Sequence, residues 1–98
     1  MKISELIQKV KEHNLSREQL EQYYTELTSL SAEMELALAD LEKAEAKYLN
    51  ESEEKTRSGA DRLWKSTPEG QEEISLKRNL RAVDKLRSSI KHRIFNQL

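Results

Sequence analysis

The chain has 98 residues, 36% of them charged and 5% aromatic, with two glycines, one proline and no cysteine; this excludes a disulfide framework or thiolate metal site and disfavours sheets, whose turns draw on Gly, Pro and Asn. Hydrophobic residues also make up 36% but never approach the roughly 20 consecutive positions that a membrane span requires. The net charge of −1 conceals a split, since residues 33–54 carry eight acids against two bases and residues 76–98 carry seven bases against one acid.

The opening MKISELIQKVKEH alternates charged with apolar residues, so it lacks the apolar core of a signal peptide and a soluble cytoplasmic protein is the expectation. Ile3, Leu6, Ile7 and Val10 recur at helical spacing and predict a first helix over residues 4–13. Asn14 and Leu15 interrupt it. Ser16 followed by Gln19 is a capping box, in which each side chain satisfies an amide of the other's segment, and Leu15 with Leu20 is placed as a hydrophobic staple. The corner from Val10 to Tyr23 also has the apolar spacing and turn serine of a helix-turn-helix. That motif needs bases to neutralise phosphates, whereas residues 1–24 hold four bases and four acids, Glu18 and Glu21 among them. An ordinary capped corner is the preferred reading.

The second helix is predicted over residues 17–57. Leu20, Tyr23, Leu27, Leu30, Met34, Ala37, Leu41, Ala44 and Tyr48 alternate spacings of three and four, the heptad pattern of a coiled-coil seam. Residues 50–66 read as a polar tip, either a fraying continuation of the helix or a mobile segment. The tip carries Trp64, the only tryptophan, with Arg57, Arg62, Leu63 and Lys65 around it. Trp64 there is either a cap over the end of the seam or an anchor for a partner, because Trp and Arg dominate interface hot spots.

Ser66-Thr67-Pro68-Glu69 supplies a capping residue, then Pro where the first turn needs no donor, then an acid that suits the helix dipole. It opens a third long helix over residues 68–96, with Leu76, Leu80, Val83, Leu86, Ile90 and Ile94 on one stripe. The expected fold is a single all-α domain of residues 1–98: an antiparallel helical hairpin with a short N-terminal helix, completed by dimerisation. Setting Leu76 beside Tyr48 places Leu80 by Ala44, Val83 by Leu41, Leu86 by Ala37 and Leu38, Ile90 by Met34 and Ile94 by Leu30. Large residues then meet small ones, and the basic helix lies along the acidic one with ion pairs that favour this orientation. Leu20, Tyr23, Tyr24 and Leu27 fall beyond most of the last helix in this register. They are either roofed by the first helix or offered to a second copy for self-association.

Lys77, Arg78, Arg81, Lys85 and Lys91 form a basic face that could follow phosphates without reading bases. The acidic neighbour and the absence of interleaved aromatics weigh against that use. His13 and His92 stand alone, the acids around Glu42 and Glu45 lack the Glu-x-x-His spacing of metal-binding bundles, and Gly59 and Gly70 are too far apart to make a phosphate loop. No catalytic residue, metal or cofactor is expected.

The stretches Ala44-Glu45-Ala46-Lys47-Tyr48 and Thr67-Pro68-Glu69-Gly70-Gln71, with Leu76-Lys77-Arg78, Leu86-Arg87-Ser88-Ser89 and Arg93, resemble those of short helical proteins of unassigned role encoded by bacteriophages and prophages. The resemblance implies a small protein that docks on a larger host or phage protein. A non-catalytic protein–protein interaction module is therefore the expected function. The alternatives are a sequence-independent nucleic-acid accessory protein and a structural scaffold oligomer.

Overall fold

A computed structural model describes residues 3–12 and 14–96. They form four helices: α1 (Ile3–Val10), α2 (Arg17–Glu51), α3 (Arg57–Ser66) and α4 (Pro68–Asn96). No strand occurs among the described residues, and none of their helices is long and apolar enough to cross a membrane. His13, placed by the sequence reading at the end of the first helix, lies outside the described residues, as does the side chain of Ile3. The chain divides into two compact units, Met1–Glu33 with Leu80–Leu98 and Met34–Asn79.

The first unit is built on the capped corner. The Ser16 amide donates to Gln19 Oε1 at 2.9 Å and the Gln19 amide to Ser16 Oγ at 3.1 Å, closing the capping box. Leu15 and Leu20, either side of that cap, are 6% and 0% exposed. Leu6 and Val10 of α1, Leu27 of α2, and Val83 and Ile90 of α4 complete the core. Arg93 fastens the end of α1, donating to the carbonyl oxygens of Val10 at 2.7 Å and Glu12 at 3.1 Å; these occupy acceptors that a helix C-terminus leaves free. Leu20 and Leu27 are thus consumed by the chain's own core, with Tyr23 and Tyr24 half-buried beside them. Their burial within the chain removes Leu20 and Leu27 from the expected self-association surface and leaves only Tyr23 and Tyr24 partly accessible.

The second unit contains the segment expected to project as a polar tip. The long helix stops at Glu51, and α3 begins after Thr56, whose hydroxyl accepts from the Gly59 amide at 3.0 Å. Ala60 and Trp64, one turn apart, are 3% and 4% exposed, and the indole lies 5.5 Å from the Tyr48 ring at an interplanar angle of 54°. A tilted aromatic pair at this separation is a favourable geometry. The region is therefore a packed helix and not a projection, because an apolar i, i+4 pair suffices to seat one short helix. At the corner between α3 and α4, the Thr67 hydroxyl donates to the Trp64 carbonyl at 2.6 Å and accepts from the Gly70 amide at 3.0 Å. A Cβ on Gly70 would run into the Trp64 carbonyl oxygen and lie 2.7 Å from its carbon. Glycine is required here for closeness, since no described glycine has a positive φ.

Two further expectations are altered. The positions of α2 that are buried or half-buried include Leu20, Tyr24, Leu27, Ser31, Met34, Leu38, Leu41, Glu45 and Tyr48, whereas Ala37 and Ala44 are exposed. The seam keeps Leu20, Leu27, Met34, Leu41 and Tyr48; in the first unit Tyr23 and Leu30 stay half-buried beside Tyr24 and Ser31, whereas in the second Leu38 and Glu45, four on, replace Ala37 and Ala44, three on. The pairing of α2 with α4 is displaced as well. In the first unit Asp84 meets Ser31 and Arg87 meets Thr28; in the second, Glu73 meets Glu45. Relative to the register that sets Val83 by Leu41, these contacts shift by about two turns of helix. The reason is energetic: the contacts give partners to polar side chains, and Ile90 reaches full burial. Large-against-small alternation along Ala37 and Ala44 offers neither.

Candidate interaction surfaces

The residues expected to bind a partner at the tip divide by burial. Trp64 faces the interior of the second unit, while Arg57, Arg62 and Lys65 are exposed and Leu63 is 43% exposed. The indole nitrogen has no hydrogen-bond partner among the described residues. Lys65 pairs with Asp61 at 3.0 Å one turn earlier, and this hydrogen bond together with the Asp61 charge raises the ammonium pKa above its ordinary value. Arg57 lines a shallow cleft with Glu42, Glu45, Ala46, Leu49 and Lys77.

That cleft exposes part of a carboxyl pair. Glu73 is 6% exposed; its Oε1 accepts from Lys77 Nζ at 3.2 Å, and its Oε2 has no donor among the described residues. Glu45 lies across from it, half-buried, with its pKa raised first by the hydrogen bond to Glu73, then by burial and by the Glu73 charge. Asp61 adds to that rise and Lys77 opposes it. A carboxylate beside a second carboxyl in a partly buried site favours its neutral form. Among the described residues no group of three or more His, Cys, Asp or Glu is arranged to hold a metal ion.

The basic residues of α4 are not equivalent. Lys77 is half-buried and committed to Glu73. Arg78, Arg81, Lys85 and Lys91 are exposed and make no ion pair among the described residues. The four ion pairs found there, Arg17–Glu21, Lys65–Asp61, Lys77–Glu73 and Arg87–Asp84, each lie within a single helix. The expected bridges between the acidic and basic helices are thus replaced by pairs one turn apart. Asp84 is the only acid of α4 beyond Glu73. It accepts from Ser31 and Arg87, both at 3.1–3.2 Å, and the Arg87 guanidinium also sits 5.5 Å over the Tyr24 ring.

Two exposed apolar side chains escaped the sequence reading. Leu36 is 72% exposed and Phe95 is 60% exposed. Each lies about 100° around its helix from a residue assigned to the seam or stripe, Ala37 and Ile94. That offset is visible in the sequence and marks both as misfits to an inward-facing line. Comparison with known proteins identifies no relative: no family model, curated protein or solved structure matches the chain.

Proposed function

We propose that this chain is a non-catalytic protein–protein interaction module whose first partner is a second copy of itself. The observation that carries this reading is a stripe on α2 in the second unit that the chain covers only in part. Ala37, Leu41, Ala44 and Tyr48 follow at spacings of four, three and four, which places them in line along one side of the helix. Ala37 and Ala44 are exposed and Leu41 and Tyr48 half-buried, with Leu36 standing 72% exposed beside them. Small residues between larger ones allow two helices to approach closely. The same stripe on a second copy makes a self-complementary two-fold interface. In the first unit the chain itself uses the corresponding edge, where Leu30 shares a cleft with Leu6 of α1. The resemblance to phage-encoded proteins extends the reading: a larger host or phage protein would dock on this stripe in place of the second copy.

Light-scattering mass after gel filtration, over a range of protein concentrations, tests the reading. The expected result is a dimer that Ala44→Glu converts to a monomer with an unchanged circular dichroism spectrum, because an exposed alanine carries no packing of the isolated chain. A wild-type protein that stays monomeric at high micromolar concentration overturns it. Assemblies larger than two chains would replace it with the scaffold reading.

A further inference from the structure

The outward face of α4 in the first unit has a different chemistry from the α2 stripe. Val83 and Ile90 are buried on the inner side, and Asp84 and Arg87 are engaged with Ser31, Thr28 and Tyr24. Arg81, Lys85, Ser88 and His92 follow at four, three and four residues and are all exposed, so they form one line on the opposite side. Lys91 is exposed at the edge of this line. From Lys85 to Asn96 the helix contains no acid. Arg81, Lys85 and Lys91 have no ion-pair partner among the described residues, so their charge is directed to solvent.

Phe95 completes the face. It is 60% exposed and stands four residues beyond Lys91 and three beyond His92, the spacings at which helix side chains are neighbours. An exposed ring beside ammonium groups is what a stacked base with its flanking phosphates requires. The fourteen helical rises from Arg81 to Phe95 extend about 21 Å, the reach of a few nucleotides.

We infer that the Arg81–Lys85–Lys91–Phe95 face of α4 binds single-stranded nucleic acid without sequence preference, phosphates lying along the bases and one base stacking on Phe95. A duplex buries its base faces and would leave Phe95 without a role. An anionic membrane surface calls for a broad apolar face, such as an amphipathic helix presents, and Phe95 is the one large apolar side chain more than half exposed on α4 among the described residues. Lys77 is excluded from the face because Glu73 already holds it. The inference does not rest on self-association, which uses α2.

Fluorescence anisotropy with a labelled oligo-dT at low salt tests it, using wild type, Phe95→Ala and Lys85→Glu with Lys91→Glu, each checked for helicity by circular dichroism. Three phosphate contacts predict that log affinity falls against log salt with a slope of about −2 for a single strand. The double charge reversal should abolish measurable binding. Phe95→Ala should weaken it roughly ten-fold, the loss of one stacked base. Absence of binding at low salt overturns the inference, as does binding that both variants retain. Equal affinity of wild type and Phe95→Ala for the oligonucleotide, with tight binding to vesicles of anionic phospholipid, would assign the face to a membrane surface and overturn it too.

Discussion

Trp64 separates a packing role from a binding role by measurement. The indole is 4% exposed and stacks at a tilt on Tyr48, and the corner at Thr67 and Gly70 is built around its carbonyl. Truncating a buried Trp to Ala costs about 3–5 kcal/mol. A small domain has a total stability of about 5–15 kcal/mol, so the loss removes a large share of it. At about 4–8 °C per kcal/mol for a chain of this size, the midpoint should fall by at least ~12 °C. Trp64→Phe supplies the control. It retains a ring against Tyr48 and removes an indole N–H that has no acceptor among the described residues. An unsatisfied buried donor costs about 1–3 kcal/mol, which offsets part of the lost area, and the variant should lie within about 1.5 kcal/mol of wild type. Urea unfolding followed by far-ultraviolet circular dichroism measures both variants without relying on the tryptophan's own fluorescence. If Trp64→Ala unfolds at the wild-type urea concentration, the packing argument fails and the ring is free to anchor a partner.

Gly70→Ala should destabilise by about 1–3 kcal/mol in the same assay, since the clash with the α3 backbone outweighs the gain in helix propensity of up to about 1 kcal/mol. Ser16→Ala removes the cap that accepts from the Gln19 amide and should cost about 0.5–2 kcal/mol. Because the pKa of Glu45 is raised in the folded chain, folding binds its proton more tightly. That contribution is complete below the ordinary carboxyl range and is lost as pH rises through the raised value. Glu45→Gln, which keeps a donor toward Glu73 at every pH, should gain stability over wild type as pH increases; a difference that does not vary with pH would refute the raised pKa of Glu45. Replacing Glu45 and Glu73 together by Leu should leave stability equal or higher while yielding more than one set of amide resonances, and a single set would show that the pair does not specify register.

Local chemistry was legible residue by residue, while pairings between helices were not. Ser16 with Gln19 announces a helix start because the capping bonds close within four residues, and Thr67-Pro68 does the same for α4. The seam of α2 is ambiguous for a physical reason. Leu20, Leu27, Met34 and Leu41 belong to either of two lines, completed by the residue three on or four on. Hydrophobicity alone prefers Tyr23, Leu30, Ala37 and Ala44, since the other line includes Ser31 and Glu45. The folded chain buries Ser31 and half-buries Glu45, which Asp84 and Glu73 of α4 meet, and leaves Ala37 and Ala44 exposed while Tyr23 and Leu30 stay half-buried. No scan of α2 by itself contains that information. The short α3 was hidden for another reason: Ala60 and Trp64 make one turn of periodicity, too little to distinguish a packed helix from a polar segment.

Repeating apolar positions also leave α4 free to slip along α2 by seven residues, since a leucine or methionine would meet it at either setting. The two polar contacts oppose such a slip. Shifted by one heptad, Asp84 would face Tyr24 or Leu38 in place of Ser31, and Glu73 would face Leu38 or Ser52 in place of Glu45. A buried Glu73 opposite Leu38 would lose its hydrogen-bonded neighbour Glu45 and keep an oxygen that already lacks a donor among the described residues. Burying a polar group without its partner costs more than the apolar contacts regained. Each unit thus contains a polar contact with a buried member that fixes the pairing locally, as a single buried asparagine fixes register in coiled coils. Hydrophobic burial supplies the stability, and Ser31–Asp84 and Glu45–Glu73 select which of several similar pairings is adopted. That choice is what leaves Ala37 and Ala44 on the surface, so the polar contacts of the core also determine which stripe of α2 is presented to a partner.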